Sequence, residues 1–299
     1  MAGDRGTHIG VACLSLIIPA IFLPCYLRIL TIFILRKKYR LLECYKIMIQ
    51  IGVAQCLMAP SWICFGIAHL LEKDYFSITA YAYVLATSVI RAEAVLSVLL
   101  ALNRLSIICR IYPPKILFLI LNALAWLVAL LQTAVLLSPI AGFYINPDIF
   151  RPGYDDNKPL SSLVGQIGNY FLLVVFIANL LIYMILVCHL SYQKTEVHVT
   201  SKAKRERDIL LYAAVRFAAD FTCVLSYQFG VKFLPQSHWT DIVVYFSYST
   251  NNLILPVVLY LVLHKSIRRD FFSCSSTLAT WSTATIRTRQ NSTAFMAKS

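Results

Sequence analysis

The sequence contains little charge, and acids are its scarcest charged residues. Asp, Glu, Lys and Arg make up 14% of the 299 residues, and 14 residues are acidic against 27 basic ones. A soluble globular domain holds about 25% charged residues, and the mean hydropathy of this chain is +0.70. Because such a chain cannot cover its apolar surface with polar side chains, the composition predicts a protein that lies in a lipid bilayer.

The usual signatures of enzymes and cofactor proteins are also missing. The sequence has no glycine-rich phosphate loop, no paired-histidine zinc motif and no nucleophile elbow, so we predict neither an enzyme nor a bound cofactor. Its nine cysteines show no metal-ligand spacing, and most lie in apolar runs, where a thiol behaves as a small hydrophobe. No lysine lies between Ile242 and Leu263 to form a retinal Schiff base.

Long apolar runs dominate the chain instead. A transmembrane helix needs about 20 largely apolar residues, and seven segments qualify, so we predict an all-α, integral membrane bundle of seven transmembrane helices. The predicted spans, called spans 1 to 7, cover residues 9–35, 47–71, 75–109, 116–138, 160–192, 209–234 and 242–263. The sequence shows neither an internal repeat nor a second domain.

The distribution of basic residues predicts the orientation of the bundle. Many Lys and Arg residues follow spans 1, 3, 5 and 7, whereas the loops on the other side hold Arg5, Lys73, Arg151 and Lys158. Since basic loops stay in the cytoplasm, we expect the amino-terminal segment 1–8 outside the cell and the carboxyl terminus inside. The same clustering accounts for the net charge of +13 without a nucleic-acid partner.

Three segments outside the spans have a composition of their own. The loop 143–160 is polar and aromatic with three prolines, and it could equally be a cap over a pocket or a plain connector. The mixture of basic and apolar side chains in residues 264–273 predicts an amphipathic helix at the membrane surface. The tail 274–299 is rich in Ser and Thr and is expected to be disordered, with Cys274 a candidate for palmitoylation.

Spans 3 and 6 each carry two charged residues near the middle of the membrane. Charges in a bilayer are costly and normally face the protein interior. In span 6, Arg216 and Asp220 are four residues apart, so they share a helix face and can pair. In span 3, Arg91 and Glu93 are two residues apart and point to different faces. We predict a polar network of these four residues that joins spans 3 and 6; the alternative is a purely structural pairing.

Aromatic residues gather near the outer ends of spans 3, 6 and 7. They predict an outward-open pocket for a small, partly apolar ligand, and the candidate lining residues are Tyr81, Tyr83, Thr87, Tyr227, Phe229, Tyr245 and Tyr248. Each aromatic residue could instead belong to the belt that such side chains form at the membrane surface.

Three stretches of the sequence resemble a known family. The first is "LPCYLRILTIFILRKKYRLLECYKIMIQIGVAQC", an apolar helix, a basic loop and the start of the next helix. The second is "LLALNRLSII" at the end of span 3, and the third is "LPVVLYLVLHKSIRRDFF" at the end of span 7. In order and spacing, over residues 9–272, the chain resembles G-protein-coupled receptors and, more narrowly, the nematode serpentine chemoreceptors of class T (Srt).

The resemblance implies a chemosensory receptor in the plasma membrane. In a chemosensory cell, we expect this membrane to be that of the sensory cilia. A small-molecule ligand would bind on the outer side and a heterotrimeric G protein on the cytoplasmic side. Arg104 matches the arginine of the family's acidic-Arg-Tyr motif, although Asn103 and Leu105 replace its neighbours. Pro256 and Tyr260 resemble the Asn-Pro-x-x-Tyr region of the last span.

In the switch that we infer from this resemblance, Arg104 bonds Glu206 or Asp208 at the start of span 6 in the inactive state, and rearrangement of spans 3, 6 and 7 breaks that bond. A membrane transporter or channel for a small solute is the alternative function. Its signs would be inverted repeats or a series of like charges along a pore.

Overall fold

The computed structural model describes residues 5–110, 113–145, 150–193, 201–233 and 237–273, with side chains except at 190–193, 201–210 and 228–233. Cys274 and the predicted tail lie outside the described residues. In chain order the elements are α1 (Arg5–Leu35), α2 (Lys37–Arg40), α3 (Glu43–Leu70), a 3₁₀ turn (Tyr75–Ser77), α4 (Ile78–Cys109), α5 (Lys115–Leu137), β1 (Phe143–Tyr144), β2 (Gly153–Tyr154), α6 (Ser161–Gln193), α7 (Ser201–Phe233), α8 (His238–Ser249), a π turn (Thr250–Ile254), α9 (Leu255–Leu263) and α10 (Lys265–Phe272).

Seven long helical segments form a bundle: α1, α3, α4, α5, α6, α7 and the combined segment α8–α9. Judged on the described residues, six of them have the length and composition of a membrane span. The exception is α7, which carries Arg216 and Asp220. The helix ends differ from the predicted spans: α7 begins at residue 201 rather than 209, and α8 at 238 rather than 242. Hydropathy predicts the apolar part of a helix, whereas its backbone hydrogen bonds continue into polar flanking residues.

The helix α4 lies at the centre of the bundle and packs against α3, α5, α6 and α7. Its buried side contains small residues, which let helices approach closely in a membrane: Ala80, Ala86, Ala92, Ala94 and Ala101. At the periphery, α5 and α6 expose large apolar side chains such as Leu130 and Val174. Contiguous apolar faces of this kind are unfavourable in water and suit the acyl chains of a bilayer.

The loop between α5 and α6 forms a short β-hairpin at one end of the bundle, called the hairpin end below. Phe143 pairs with Tyr154 and Tyr144 with Gly153 in antiparallel register. The Lys158 ammonium group holds the base of the loop, donating to the carbonyls of Ser138 at 3.3 Å and Ala141 at 3.0 Å. The ammonium group of Lys158 therefore joins the two ends of the loop.

The helix α10 lies at the opposite end of the bundle, called the α10 end below, and one carboxylate attaches it there. The buried Asp270 side chain contacts the Arg36 guanidinium at 2.5 Å and the Lys38 ammonium at 2.7 Å, and it accepts a hydrogen bond from Tyr39 at 3.0 Å. Burial favours a higher pKa for this carboxyl, but the hydrogen bonds from Lys38 and Tyr39 and the nearby positive charges outweigh it, so the pKa of Asp270 is lowered. Ile267 is fully buried on the same face.

Replacing this carboxylate should detach α10 in part. We expect Asp270→Asn to lower the free energy of unfolding by about 1.5–3 kcal/mol, the range for hydrogen bonds to a charged group. The measurement is the thermal midpoint of the purified protein in detergent. The exposed Asp156→Asn is the control, and an equal loss in that variant would contradict the assignment.

The pH dependence of this contribution has a definite sign. Because the pKa of Asp270 is lowered on folding, its stabilisation is fully present above the unfolded value of about 3.9 and is lost as the pH falls through the lower folded value. The difference in midpoint between wild type and Asp270→Asn should therefore stay constant near neutral pH and shrink only in strong acid.

Candidate functional site

A cavity of about 110 Å³ lies between the helices at the hairpin end. Most of its lining is apolar or aromatic, namely Met58, Trp62, Tyr83, Ala86, Ile90, Phe143, Pro152, Tyr154, Leu172, Val224, Tyr227, Val244, Tyr245 and Tyr248. Polar and charged side chains complete it, namely Ser61, Thr87, Arg91, Arg151, Asn169 and Asn252. A single water molecule needs about 10–15 Å³ of cavity volume, so the cavity has room for a small organic molecule. Apolar walls with few polar groups are typical of small-molecule sites.

The structure brings five of the seven predicted pocket residues together around this cavity, namely Tyr83, Thr87, Tyr227, Tyr245 and Tyr248. Tyr81 does not join them, and 60% of it is exposed. Tyr81 and Tyr83 are two residues apart, and two residues turn a helix by about 200°, so only one of them can face the cavity. The side chain of Phe229 lies outside the described residues.

The hairpin supplies pocket residues that helix patterns could not identify. Phe143, Arg151 and Tyr154 line the cavity, and the rings of Phe143 and Tyr154 pack with their centroids 4.5 Å apart. Gly165 of α6 makes room for the Tyr154 ring, because a Cβ there would lie 2.9 Å from it. The aromatic and proline-rich composition of the loop was the only signal in the sequence, and the described part of the loop lines the cavity through Phe143, Arg151, Pro152 and Tyr154.

Arg91 faces this cavity and contacts none of the other three charged residues predicted to form a network with it. It is 3% exposed. Its Nη1 donates to the Thr87 carbonyl at 2.7 Å, and its Nη2 donates to the Tyr154 hydroxyl at 3.3 Å. The guanidinium fills the space beside Gly168 of α6, where a Cβ would collide with it. Its position two residues before Glu93 on α4 explains the separation, since the two side chains leave opposite sides of the helix.

Arg216 is the centre of a buried polar network between α4, α7 and the last helical segment. Its Nη2 contacts the carboxylates of Glu93 at 2.7 Å and Asp220 at 3.0 Å. The Asn251 side chain accepts from Nη1 at 2.9 Å, and the Asn252 side chain accepts from Nη2 at 2.7 Å. Asp220 accepts in turn from the Asn251 amide at 2.6 Å. Arg216 is 4% exposed, so its charge depends on these partners.

The π turn explains why two neighbouring asparagines both reach Arg216. Within it the Leu255 amide donates to the Thr250 carbonyl, a bond over five residues. The next bond of that kind would need an N–H group at Pro256, which proline lacks. The Asn251 carbonyl therefore remains available, and Arg216 donates to it. π turns occur frequently at functional sites.

The network continues beyond Arg216 across two further helices. Glu93 accepts a hydrogen bond from the Gln55 amide, and the Gln55 carbonyl oxygen accepts one from the Tyr26 hydroxyl. Gln55 and Tyr26 are both fully buried. Polar side chains thus connect α1, α3, α4, α7 and the π turn. In the parts of the chain that the structure describes, no group of three or more His, Cys, Asp or Glu residues is arranged to hold a metal ion.

One residue belongs to both the cavity and the network. Asn252 lines the cavity, and its side chain accepts from Arg216. A second, smaller cavity of about 20 Å³ lies beside the network and is lined by Glu93, Asp220 and Asn251. Ile90, Val224, Tyr248 and Asn252 line both cavities. A molecule in the larger cavity would therefore contact the polar network through Asn252.

The predicted switch residues lie towards the α10 end. Arg104 is completely buried and Asn103 nearly so. Pro256 and Tyr260 are buried on α9, and the Tyr260 ring stacks on Tyr212 of α7 with centroids 4.6 Å apart. Glu206 and Asp208 fall within α7, but their side chains lie outside the described residues.

The chain is similar to known proteins in sequence and in fold. A family model described as "Serpentine type 7TM GPCR chemoreceptor Srt" matches residues 4–282. Among solved structures, squid rhodopsin has a similar fold: the TM-score is 0.67 over 92% of this chain and 87% of that chain, at 13% sequence identity. A search of curated protein sequences finds no match. Because the sequence identity is low, the similarity to squid rhodopsin supports the fold alone.

The network contains one arginine for two carboxylates, and this ratio predicts which substitution destabilises the protein more. Arg216 serves two carboxylates, so Arg216→Gln leaves both buried without a cation and should cost about 3–5 kcal/mol of unfolding free energy. Asp220→Asn leaves one arginine with one carboxylate and should cost about 1 kcal/mol. The thermal midpoint of each purified variant in detergent, together with its surface expression in cells, would measure the two losses. Arg5→Gln, at an exposed site, is the control, and equal losses from Asp220→Asn and Arg216→Gln would contradict the arrangement.

Proposed function

The chain belongs to the Srt family of serpentine seven-transmembrane G-protein-coupled chemoreceptors, and we propose that it binds a small molecule in the cavity at the hairpin end and activates a heterotrimeric G protein at the α10 end. It is a multi-pass membrane protein of a receptor family rather than an enzyme family. Ligand binding outside the cell favours one of two packings of α4, α7 and α8–α9.

Charge supports the orientation in this proposal. The basic residues of α2 and α10 lie at the α10 end, whereas the hairpin end carries fewer. Because basic segments remain in the cytoplasm, the hairpin end with its cavity faces outwards and the amino terminus lies outside. The location is the plasma membrane, in sensory cilia if the cell is chemosensory.

The observation that carries the proposal is the double position of Asn252. Its side chain faces a ligand-sized cavity and also accepts a hydrogen bond from the central arginine of the network. A ligand that contacts Asn252 differently in two packings of the bundle would shift their populations, because only a difference in affinity can do so. The shift would reach α4 through Glu93 and α7 through Arg216 itself.

At the cytoplasmic end the proposal uses Arg104 as the switch. Its buried position near the end of α4 suits an arginine that bonds an acid of α7, Glu206 or Asp208, in the inactive state. Movement of α7 would break that bond and open a cleft for the G protein. The aromatic stack of Tyr212 and Tyr260 lies between α7 and α9 and would have to separate or slide.

A ligand screen tests the function directly. Cells that express the chain would be exposed to small volatile and soluble compounds while G-protein activation and ion flux are recorded together. We expect activation without flux. The variant Ala86→Phe fills the cavity and should abolish the response at equal surface expression, whereas Val258→Phe, on the exposed side of α9, should preserve it. Ion flux without G-protein activation would instead support a channel or transporter.

The cytoplasmic switch gives a separate prediction. Because Arg104 is buried, a charge-assisted hydrogen bond between it and an acid is worth about 1.5–3 kcal/mol, which corresponds to about a 10- to 150-fold shift of the active population. We expect Glu206→Gln or Asp208→Asn to raise ligand-free signalling by about that factor. Glu43→Gln removes an exposed acid at the same end of the bundle and should have no effect. Unchanged basal signalling in both acid variants would contradict the switch.

A further inference from the structure

The cavity contains a buried positive charge that has no anionic partner among the described residues. Arg91 is 3% exposed, yet its two hydrogen bonds go to a backbone carbonyl and a tyrosine hydroxyl. Those bonds use two of the five N–H groups that a guanidinium offers. Its Nε is buried and has no acceptor among the described residues. No ion pair links Arg91 to a carboxylate within the described ranges.

The contrast with Arg216 shows what is missing. Both arginines are buried and the Nε of each lacks an acceptor among the described residues, but Arg216 has two carboxylates and two asparagine side chains around it. A buried cation is costly when no anion balances it. The chain nonetheless keeps the space for the Arg91 guanidinium open, because Gly168 of α6 has no side chain there. The arrangement favours a second anion from outside the protein.

The rest of the cavity lining points the same way. No Asp or Glu belongs to the described residues that line it. Arg151 contributes a second guanidinium and contacts Asp241 at 3.7 Å, at the edge of the cavity. Arg91, Arg151 and Asp241 together carry one net positive charge. A ligand with one negative charge would balance this group.

We propose that, given the receptor function proposed above, the ligand of this cavity is a small organic monoanion with a carboxylate group. The carboxylate binds the open side of the Arg91 guanidinium, whose planar fork matches two carboxylate oxygens. Arg151 assists from the hairpin. The body of the ligand is apolar, because most of the cavity lining consists of apolar and aromatic side chains such as Trp62, Leu172 and Val224.

The first test compares acids with uncharged molecules of the same shape. The purified full-length chain in detergent at neutral pH would be heated with butanoate, hexanoate or benzoate, and with their methyl esters, using sodium chloride to equalise ionic strength. A bound ligand raises the thermal midpoint. We expect the acids to raise it and the esters not to. Equal effects of acids and esters, or no effect of any acid, would overturn the proposal.

Variants then identify the group that recognises the charge. Arg91→Gln should weaken acid binding by about 10- to 100-fold, the effect of losing a charge-assisted hydrogen bond, while any weak ester binding stays unchanged. Arg91→Lys should retain part of the affinity, since the charge remains. Lys115→Gln, an exposed site outside the cavity, is the matched control. If Arg91→Gln does not fold, the comparison of acids and esters on the wild-type protein still tests whether the cavity binds a carboxylate.

The binding test is independent of signalling, so the two proposals can fail separately. Acid-selective binding without G-protein activation in cells would support the carboxylate ligand and overturn the receptor function. Activation by uncharged compounds alone, with no stabilisation by acids, would support the receptor function and overturn the carboxylate ligand.

Discussion

The bundle depends on how one buried guanidinium, that of Arg216, is satisfied. In the interior of a membrane protein, a cation needs anions and acceptors from its neighbours, since water cannot supply them. The chain provides them from three directions: Glu93 on α4, Asp220 on α7 itself, and Asn251 and Asn252 at the π turn. Glu93 fixes the position of α4 relative to α7, and the two asparagines fix the position of the π turn. The same requirement explains the irregular last segment, because a regular helix would not direct two adjacent asparagines at one group.

Two arginines in this bundle therefore have different roles for a physical reason. Removing one partner of a buried ion pair is strongly destabilising, so the carboxylates around Arg216 cannot easily change their contacts. Arg91 has no such partner among the described residues, and it lines the cavity. The first arrangement suits a fixed junction between helices, and the second suits a site that an external molecule completes.

Much of the fold could be predicted from the sequence, because the thickness of the bilayer sets the length of each apolar run. The pairing of Arg216 with Asp220 could also be predicted, since helix periodicity places residues four apart on one face. Periodicity alone could not show whether Arg91 or Glu93 of α4 faces α7, since that depends on how the bundle packs. It could not identify Asn251 and Asn252 either, because the π turn breaks the helical period. The hairpin residues Arg151 and Tyr154 come from a loop, where no period exists to follow.

The charges of the cavity and of the network are coupled through their closeness. Arg216, Glu93 and Asp220 together carry one net negative charge, and Arg91 lines the neighbouring cavity without an ion pair to any of them. A carboxylate bound at Arg91 would bring a further negative charge close to that of the network. In a medium of low dielectric, like charges repel each other over several ångströms. A packing of the bundle that increases the distance between the bound carboxylate and the network would then gain stability relative to the ligand-free packing. The ligand's charge, added to its contact with Asn252, thus provides the difference in affinity that a population shift requires.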